Sequence, residues 1–453
     1  MMGTAKTIDV DAVKAGLEAS IARHPRFSSV VVSDDPGSKS SKWVPTKVII
    51  DDHIIIPNIN PPQTTTATSA DRLVEDYASS LTTTSLPHSQ PLWDFHIINM
   101  RTSEAEAVAI LRIHHSLGDG VSLMSLLLAC TRKTSHPDSL PSLPGAKRQR
   151  ETNSDVSGTG VWGLILRIWA MLVLMWNTLV DAVVFMASSA FLKDTETPIK
   201  GVEGVELHKK RIVHRTLSLD DIMLIKYAVG GTINDVLVGV TSAGLSQYLN
   251  RRYSSTANGE KKENSLPAKI RLRTTVLVNI RPTPGIHALT EMMEGGKSTR
   301  WGNWLGYIIL NFPILMYEDP LDYVRKGMKN TERKKNSLEA IFTYTSGTLI
   351  VKLLGIKAAA ALCYRVLRHT TISFSNIVGP IEQVSFYGHP LVYIAPTVYG
   401  HPQAITLHFQ SYMNKMEMVL AVDELTVPDP HQLLQDLAES LKLIKDAVVE
   451  RSS

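Results

Sequence analysis

The sequence carries the stretch His114-His115-Ser116-Leu117-Gly118-Asp119-Gly120 between two apolar runs. The run before it, Ala107 to His115, has the length and composition of a buried strand. The run after it, Val121 to Cys130, has those of a buried helix. We therefore expect the stretch to form the turn between a strand and a helix. Such a turn holds its side chains at a rigid edge of the fold, where a ligand can reach them.

The two histidines of this turn are candidates for acid–base chemistry, because imidazole changes its charge near neutral pH. Neighbouring strand residues point to opposite faces, so one of His114 and His115 is expected to face a cleft and the other the interior. Gly118 and Gly120 allow tight backbone geometry, and Asp119 is expected to hold the turn rather than to act in catalysis. Packed or surface histidines and an ordinary Gly-Asp-Gly turn are the competing interpretations. A metal site is not expected, because adjacent strand histidines cannot both ligate one ion.

The composition is that of a globular protein with about two domains. The 453 residues are 44% hydrophobic and 20% charged, which is too apolar for a disordered chain. A net charge of +4 is too small to indicate nucleic acid binding, but it suits an anionic lipid surface or an anionic ligand. Cys130 and Cys363 lack metal-type spacing, so we expect a reducing compartment and a cytosol-facing protein.

Helical and strand-like segments alternate along the chain, which indicates an α/β architecture. We expect helices at residues 9–24, 69–81, 219–227, 233–249, 349–366 and 432–449. We expect strands at 28–32, 92–98, 107–115 and 273–280, and near Ile372 and Ile405. Residues 251–263 are expected to form a surface loop, and 136–160, which include Lys147, Arg148 and Arg150, a flexible linker. The resulting division is 1–160, an apolar segment at 161–192, and 200–453.

The apolar segment 161–192 predicts one long amphipathic helix. A narrow polar stripe contains Arg167, Asn177 and Asp181, and the opposite side carries Trp162, Trp169 and Trp176. A spanning helix prefers tryptophans at the two headgroup levels, so these inner positions favour a helix that lies in the plane of a membrane. A single membrane span and a helix buried in the protein are the alternatives.

The pattern His-His-x-x-x-Asp-Gly resembles the motif of the wax ester synthase/diacylglycerol acyltransferase family, within the CoA-dependent acyltransferases and peptide-synthetase condensation domains. The motif alone indicates only this superfamily. Further segments match the family in order, and they look closest to its plant branch: Pro91-Leu92-Trp93, Asn234-Asp235, Val278-Asn279-Ile280-Arg281, Trp301-Gly302-Asn303 and Ser375-Asn376-Ile377-Val378-Gly379-Pro380.

The resemblance implies two chloramphenicol-acetyltransferase-like subdomains, with mixed sheets flanked by helices and a central channel between them. It implies transfer of an acyl group from acyl-CoA to a long-chain fatty alcohol or a diacylglycerol, with no cofactor and no metal ion. His115 would be the general base that takes the proton from the attacking hydroxyl group. His114 would support it, and Gly120 would serve the turn. The expected location is the endoplasmic reticulum or the plasma membrane, with the active site facing the cytosol.

Other residues of the matching segments are candidates for binding substrate. Donors for the tetrahedral oxyanion are needed, and Asn234, Ser375 and Asn376 are candidates, with Asp235 beside them. Their alternative interpretation is as helix-cap and turn residues. Pro91, Leu92 and Trp93 are expected to shape the acyl or alcohol channel, or simply to pack.

One departure from the family pattern concerns the N-terminus. Family members carry some tens of residues, including a strand, before the first helix, whereas this chain begins almost at that helix. We therefore expect an exposed sheet edge that lowers stability or activity. The alternative functions are a soluble acyltransferase of the plant BAHD type, whose Asp-Phe-Gly-Trp-Gly is absent, an amide-forming condensation enzyme, and a catalytically impaired lipid-binding membrane protein.

Overall fold

The computed structural model describes residues 1–33, 41–59, 66–144, 161–256, 264–281 and 301–452. Two large sheets, each with helices on its outer face, form a mixed α/β architecture, as the sequence predicted. The basic residues Lys147, Arg148 and Arg150 of the expected linker lie outside the described residues. So does the part of the expected surface loop at 257–263.

The first sheet has seven strands in the order β4-β5-β6-β1-β13-β12-β7. Their bounds are Met2–Thr4 (β1), Ile54–Ile55 (β4), Trp93–Ile98 (β5), Ala107–Ile113 (β6), Thr131–Lys133 (β7), Val384–Phe386 (β12) and His389–Ile394 (β13). A separate hairpin pairs Ser29–Ser33 (β2) with Ser41–Pro45 (β3). The strands β12 and β13 come from late in the chain. The division at 200–453 therefore does not follow the sheets, because the pairing of β13 with β1 and of β12 with β7 brings these late strands into the first half.

The N-terminal residues form a strand in the interior of the first sheet. Met2–Thr4 pairs antiparallel with β6 on one side and with β13 on the other. Met2 is buried, and Gly3 lies so close to Tyr393 that an added Cβ would stand 2.3 Å from its ring. The expectation of a missing strand and an exposed edge is therefore wrong. Three residues suffice to complete the ladder between β6 and β13.

The second sheet has six strands in the order β10-β9-β11-β14-β15-β8. Their bounds are Lys210–Ser218 (β8), Leu272–Asn279 (β9), Leu305–Phe312 (β10), Ile372–Ile377 (β11), Ile405–Tyr412 (β14) and Lys415–Asp423 (β15). The strand β11 runs parallel to β9 and β14, and the other pairs are antiparallel. One face of this sheet packs on helices to form the largest apolar core, which includes Leu407 and Phe409. The other face meets the first sheet, where Val419 and Ala421 pack with Val108 and Ile110.

The helices cover the outer faces of the two sheets. Their bounds are Val10–Ala19 (α1), Ala67–Ser80 (α2), Gly120–Ala129 (α3), Val161–Ala190 (α4), Leu219–Val229 (α5), Ile233–Thr256 (α6), Leu321–Lys335 (α7), Glu339–Leu354 (α8), Ile356–Arg368 (α9) and Pro430–Ser452 (α10). The expected single helix at 349–366 is two helices, because Gly355 adopts a positive φ of 85° between them. Residues 251–256 continue α6 rather than form a loop, since Arg251 is bound to the buried Asp436 of α10.

Candidate active site

The double-histidine stretch lies in the turn that joins β6 to α3. The last residue of β6 that pairs with β5 is Ile113, opposite Trp93. His114 donates its backbone N–H to Leu92 O (3.0 Å), and Leu117 donates to His114 O (3.0 Å), which closes the turn. Both histidines are exposed. The prediction that they alternate between the two faces of a strand is therefore wrong, because strand pairing stops one residue before them.

Asp119 is buried at the other end of this turn and binds groups from both halves of the molecule. Its Oδ1 caps α3 by accepting from the N–H of Ser122 (2.9 Å). Its Oδ2 accepts from Arg281 Nη2 (2.8 Å) and from the N–H of Trp304 (2.9 Å). Two of these contacts hold backbone N–H groups and the third is an ion pair, so both carboxylate oxygens are occupied.

A second set of contacts joins the turn to the residues before β10. Trp301 Nε1 donates to Leu117 O (2.6 Å), and Asn303 Nδ2 donates to His115 O (3.2 Å). Arg281 Nη2 also donates to Gly302 O (2.6 Å). Two segments of the second half thus clamp the histidine turn. One ends at Arg281, and the other begins at Trp301. Sequence reasoning singled out these segments as family landmarks but assigned them no role.

The second sheet presents a polar face toward the first half beside this turn. Ser375 of β11 pairs in register with His408 of β14, so the two side chains share a face, and Gln410 follows on it. His401, from the loop before β14, joins this group. His115 lies close enough to His401 and His408 for its charge to lower their pKa values. Sequence reasoning missed His401, His408 and Gln410, although a histidine and a glutamine two residues apart on an apolar strand are a usable signal.

Several buried polar atoms of this region lack a hydrogen-bond partner among the described residues. They are His401 Nδ1, His408 Nδ1, Gln410 Oε1 and Asn376 Oδ1. Burial lowers the pKa of His408 to about 3 and that of His401 to about 4, so both rings are neutral at pH 7. Buried polar atoms normally have a partner, so these are placed to meet a ligand or water.

The other predicted site residues fall into two groups. Asn376 Nδ2 donates to Asn234 Oδ1 (2.7 Å), which brings two of the oxyanion candidates together. Asn376 pairs in register with Phe409 and so lies on the opposite sheet face from Ser375. Asp235 accepts from the N–H of Thr232 (2.8 Å), which closes a capping box at the start of α6.

Pro91, Leu92 and Trp93 are buried beneath the histidine turn. Trp93 stacks on His53 and donates Nε1 to Phe27 O (3.0 Å), in the core between β5 and the first helices. Leu92 holds the turn through its carbonyl group. Gly120 is the first residue of α3. Of the two interpretations given for Pro91, Leu92 and Trp93, packing agrees with these contacts.

The long apolar helix α4 is long and apolar enough to cross a membrane. The later part of its polar stripe faces the protein: Asn177 Nδ2 donates to Asn336 O (3.0 Å), and Asp181 accepts from Lys334 Nζ (2.8 Å) and from Arg333, whereas Arg167 is exposed. Its other side, with Trp162, Trp169 and Trp176, is largely exposed. The alternative of a helix buried in the protein is therefore wrong.

The described residues include no group of three or more histidine, cysteine, aspartate or glutamate side chains placed to hold a metal ion. Among the described residues, the charge of His115 acts on the pKa values of His401 and His408, which belong to the second half of the chain.

Known proteins resemble this chain in sequence and in fold. Residues 2–237 match the family model of the wax ester synthase/diacylglycerol acyltransferase catalytic domain, and residues 301–445 match the WS/DGAT C-terminal domain. Wax ester synthase/diacylglycerol acyltransferase 5 of Arabidopsis thaliana is 48% identical over 100% of this chain and 90% of its own. Number 6 of the same plant is also 48% identical, with the same coverage. The solved wax ester synthase/diacylglycerol acyltransferase of Marinobacter aquaeolei VT8 shares the fold, with a TM-score of 0.59, 16% identity, and 99% and 93% of the two chains covered.

Proposed function

The chain belongs to the wax ester synthase/diacylglycerol acyltransferase family and is an acyltransferase, and we propose that His115 is its general base. The proposed donor is a long-chain acyl-CoA, and the acceptor is a fatty alcohol or a diacylglycerol. His115 takes the hydroxyl proton while the acceptor oxygen forms a new bond to the thioester carbonyl carbon. The tetrahedral intermediate then loses its C–S bond, and the CoA sulfur receives the proton from His115.

The observation that carries this proposal is the placement of His115. Its side chain is exposed on a turn that is clamped from both halves, and its charge lowers the pKa values of His401 and His408, whose rings are neutral at pH 7. A base needs such a rigid position within reach of the substrate. The hydroxyl group of Ser375 shares the face of His408 and is the proposed oxyanion donor. The role of oxyanion donor remains a prediction for Asn234 and Asn376.

The short N-terminus does not favour an inactive lipid-binding protein. That alternative rested on an exposed sheet edge, and β1 instead pairs with a strand on each side. Membership of the family also disfavours the soluble BAHD type and the amide-forming condensation type.

We further propose that α4 lies in the plane of a cytosol-facing membrane, that of the endoplasmic reticulum in the first place. The described contacts bind α4 to the protein body from Asn177 onward. The part before Asn177, Val161–Trp176, is 16 residues long and so spans about 24 Å at 1.5 Å per residue. A bilayer core is about 30 Å thick. An in-plane helix therefore fits better than a span.

The substitution His115→Ala tests the proposed function. We expect turnover of palmitoyl-CoA with hexadecanol or with dioleoylglycerol to fall at least about 100-fold, because general-base catalysis supplies about that much. The matched control is His431→Ala, whose ring lies at the protein surface near Glu75, far from the turn. Thermal unfolding should be unchanged in both variants. Equal turnover of wild type and His115→Ala would contradict the proposal.

A further inference from the structure

The helices α8 and α9 form a hairpin whose base is tied to the second sheet. At the start of α8, Glu339 is buried and accepts from the N–H of Ile309 (3.0 Å). One turn later, Thr343 accepts from the N–H of Tyr307 and donates to Tyr307 O, both at 3.0 Å. At the end of α9, Val366 is fully buried. Both ends of the hairpin are therefore anchored on β10 and its neighbours.

The tip of the hairpin projects away from the protein body. Leu353 is 72% exposed, Leu354 67% and Ile356 66%, whereas the residues at the base are buried. Gly355 stands between them with φ 85°, and no atom lies within 4 Å of a Cβ added there. Exposure of three neighbouring large aliphatic side chains to water is energetically unfavourable, and such a patch marks an interaction surface.

The charges around the tip have one sign. Lys352 and Lys357 flank the three apolar residues, and both are exposed. The sequence has no aspartate or glutamate from Ala340 to Ile381. The neighbouring helix α4, on which α8 and α9 pack, has a single acidic residue, Asp181, which is buried and paired with Lys334. The glutamates that contact α9, Glu203 and Glu206, meet it near its far end, at Arg368 and Tyr364. An apolar tip flanked by two lysines is complementary to anionic lipid headgroups.

We propose that the tip Lys352–Lys357 inserts into the surface of a bilayer that contains anionic phospholipid, as a second contact beside α4. The hairpin is too short to cross the bilayer, because α8 has 16 residues and α9 has 13, or about 24 and 20 Å. The aliphatic side chains enter the headgroup boundary, and the two lysines bind phosphate or carboxylate groups there. The proposal deepens the membrane association proposed for α4. It makes the protein bind one leaflet through two elements that pack on each other.

The experiment is flotation of the whole protein with vesicles of phosphatidylcholine, with and without phosphatidylserine. Leu353→Ser/Leu354→Ser should lower the ratio of bound to free protein at least about tenfold, since two buried aliphatic side chains are lost. Leu425→Ser is the control, because Leu425 is 81% exposed but lies in the turn after β15. It should bind like wild type.

A charge variant tests the lipid class separately. Lys352→Gln/Lys357→Gln should bind pure phosphatidylcholine like wild type and lose most of the gain from phosphatidylserine, about fivefold for each lysine.

Equal binding of the tip variant and wild type would overturn the inference, and the patch would then belong to a protein partner. Wild-type protein that floats with neither vesicle would contradict membrane association altogether, including that of α4. Loss of binding in Trp169→Ser/Trp176→Ser alone would leave α4 as the membrane element and overturn the role of the tip. Acyl transfer to detergent-dispersed hexadecanol, retained by every variant, shows that the fold is intact.

Discussion

At the scale of single residues, the position of His115 depends on a buried ion pair that does no chemistry itself. Asp119 and Arg281 are 162 residues apart in sequence, and both side chains are almost wholly buried. The same guanidinium group binds Ser122 Oγ and Gly302 O. Because a buried charge is stable only when it is paired, this pair fixes the distance between the histidine turn and the second sheet.

The substitution Asp119→Asn tests this at the residue scale. The amide keeps an oxygen for the N–H of Ser122 but leaves the Arg281 charge buried without its partner. We expect the free energy of unfolding to fall by about 3 kcal/mol, measured by urea denaturation, together with a loss of acyl transfer. Asp51→Asn, which removes a solvent-exposed partner of Lys14, should leave both unchanged. A smaller effect for Asp119→Asn than for Asp51→Asn would show that the buried pair is not needed.

At the scale of elements, the α8–α9 hairpin is held by the close approach of α8 to β10. A Cβ added at Gly306 of β10 would lie 2.0 Å from the carbonyl oxygen of Ala340, a backbone atom that cannot turn aside. Gly347, one residue past the middle of α8, has no atom within 4 Å of an added Cβ. The two glycines therefore serve different purposes, although the sequence shows both as single glycines in apolar segments.

The pair Gly306→Ala and Gly347→Ala tests this packing. Gly306→Ala should lower the free energy of unfolding by about 1–3 kcal/mol, because α8 must move away from β10. Gly347→Ala should raise it by up to about 1 kcal/mol, because alanine is the better helix former. Urea denaturation of the two variants beside wild type measures both changes. The same sign of change in both variants would contradict this account of the packing.

At the scale of the whole molecule, the first sheet contains strands from both halves of the chain, so the two halves are not separate domains. The first sheet takes β12 and β13 from residues 384–394, and the N-terminal strand β1 lies between β6 and β13. The candidate site has the same construction, since its turn comes from the first half and its clamp from the second. Noncovalent contacts between the two halves therefore hold the turn and its clamp together.

A fragment of residues 1–200 tests this interdependence. It lacks β13, which pairs with β1, and β12, which pairs with β7, so its sheet is interrupted. We expect it to show no cooperative urea transition by near-ultraviolet circular dichroism, because the missing strands leave apolar groups and backbone groups unpaired. Co-expression with residues 201–453 should restore a soluble complex with a single transition. A cooperative transition of the fragment alone would show that the first half folds independently.

Much of the fold follows from local patterns in the sequence. Six elements agree with the prediction to within a few residues, because their periodicity and end signals lie inside each segment. They are the helices α2, α3, α4 and α10 and the strands β5 and β6. The helix α7 and the strands β8, β10, β13 and β15 were missed. Where a strand alternates weakly, its pairing partners determine it, and those lie elsewhere in the chain.

The sequence by itself determined the α/β class, the histidine turn with its helix, the amphipathic character of α4 and the family. Each depends on residues that are adjacent or regularly spaced. Only the tertiary structure decided that β1 completes the first sheet, that Arg281 and Trp301 clamp the turn, and that the charge of His115 acts on His401 and His408. These contacts join residues far apart in sequence. They form because a buried charge needs its counter-charge and a buried strand needs a partner on each side, and no local pattern records which distant residue supplies them.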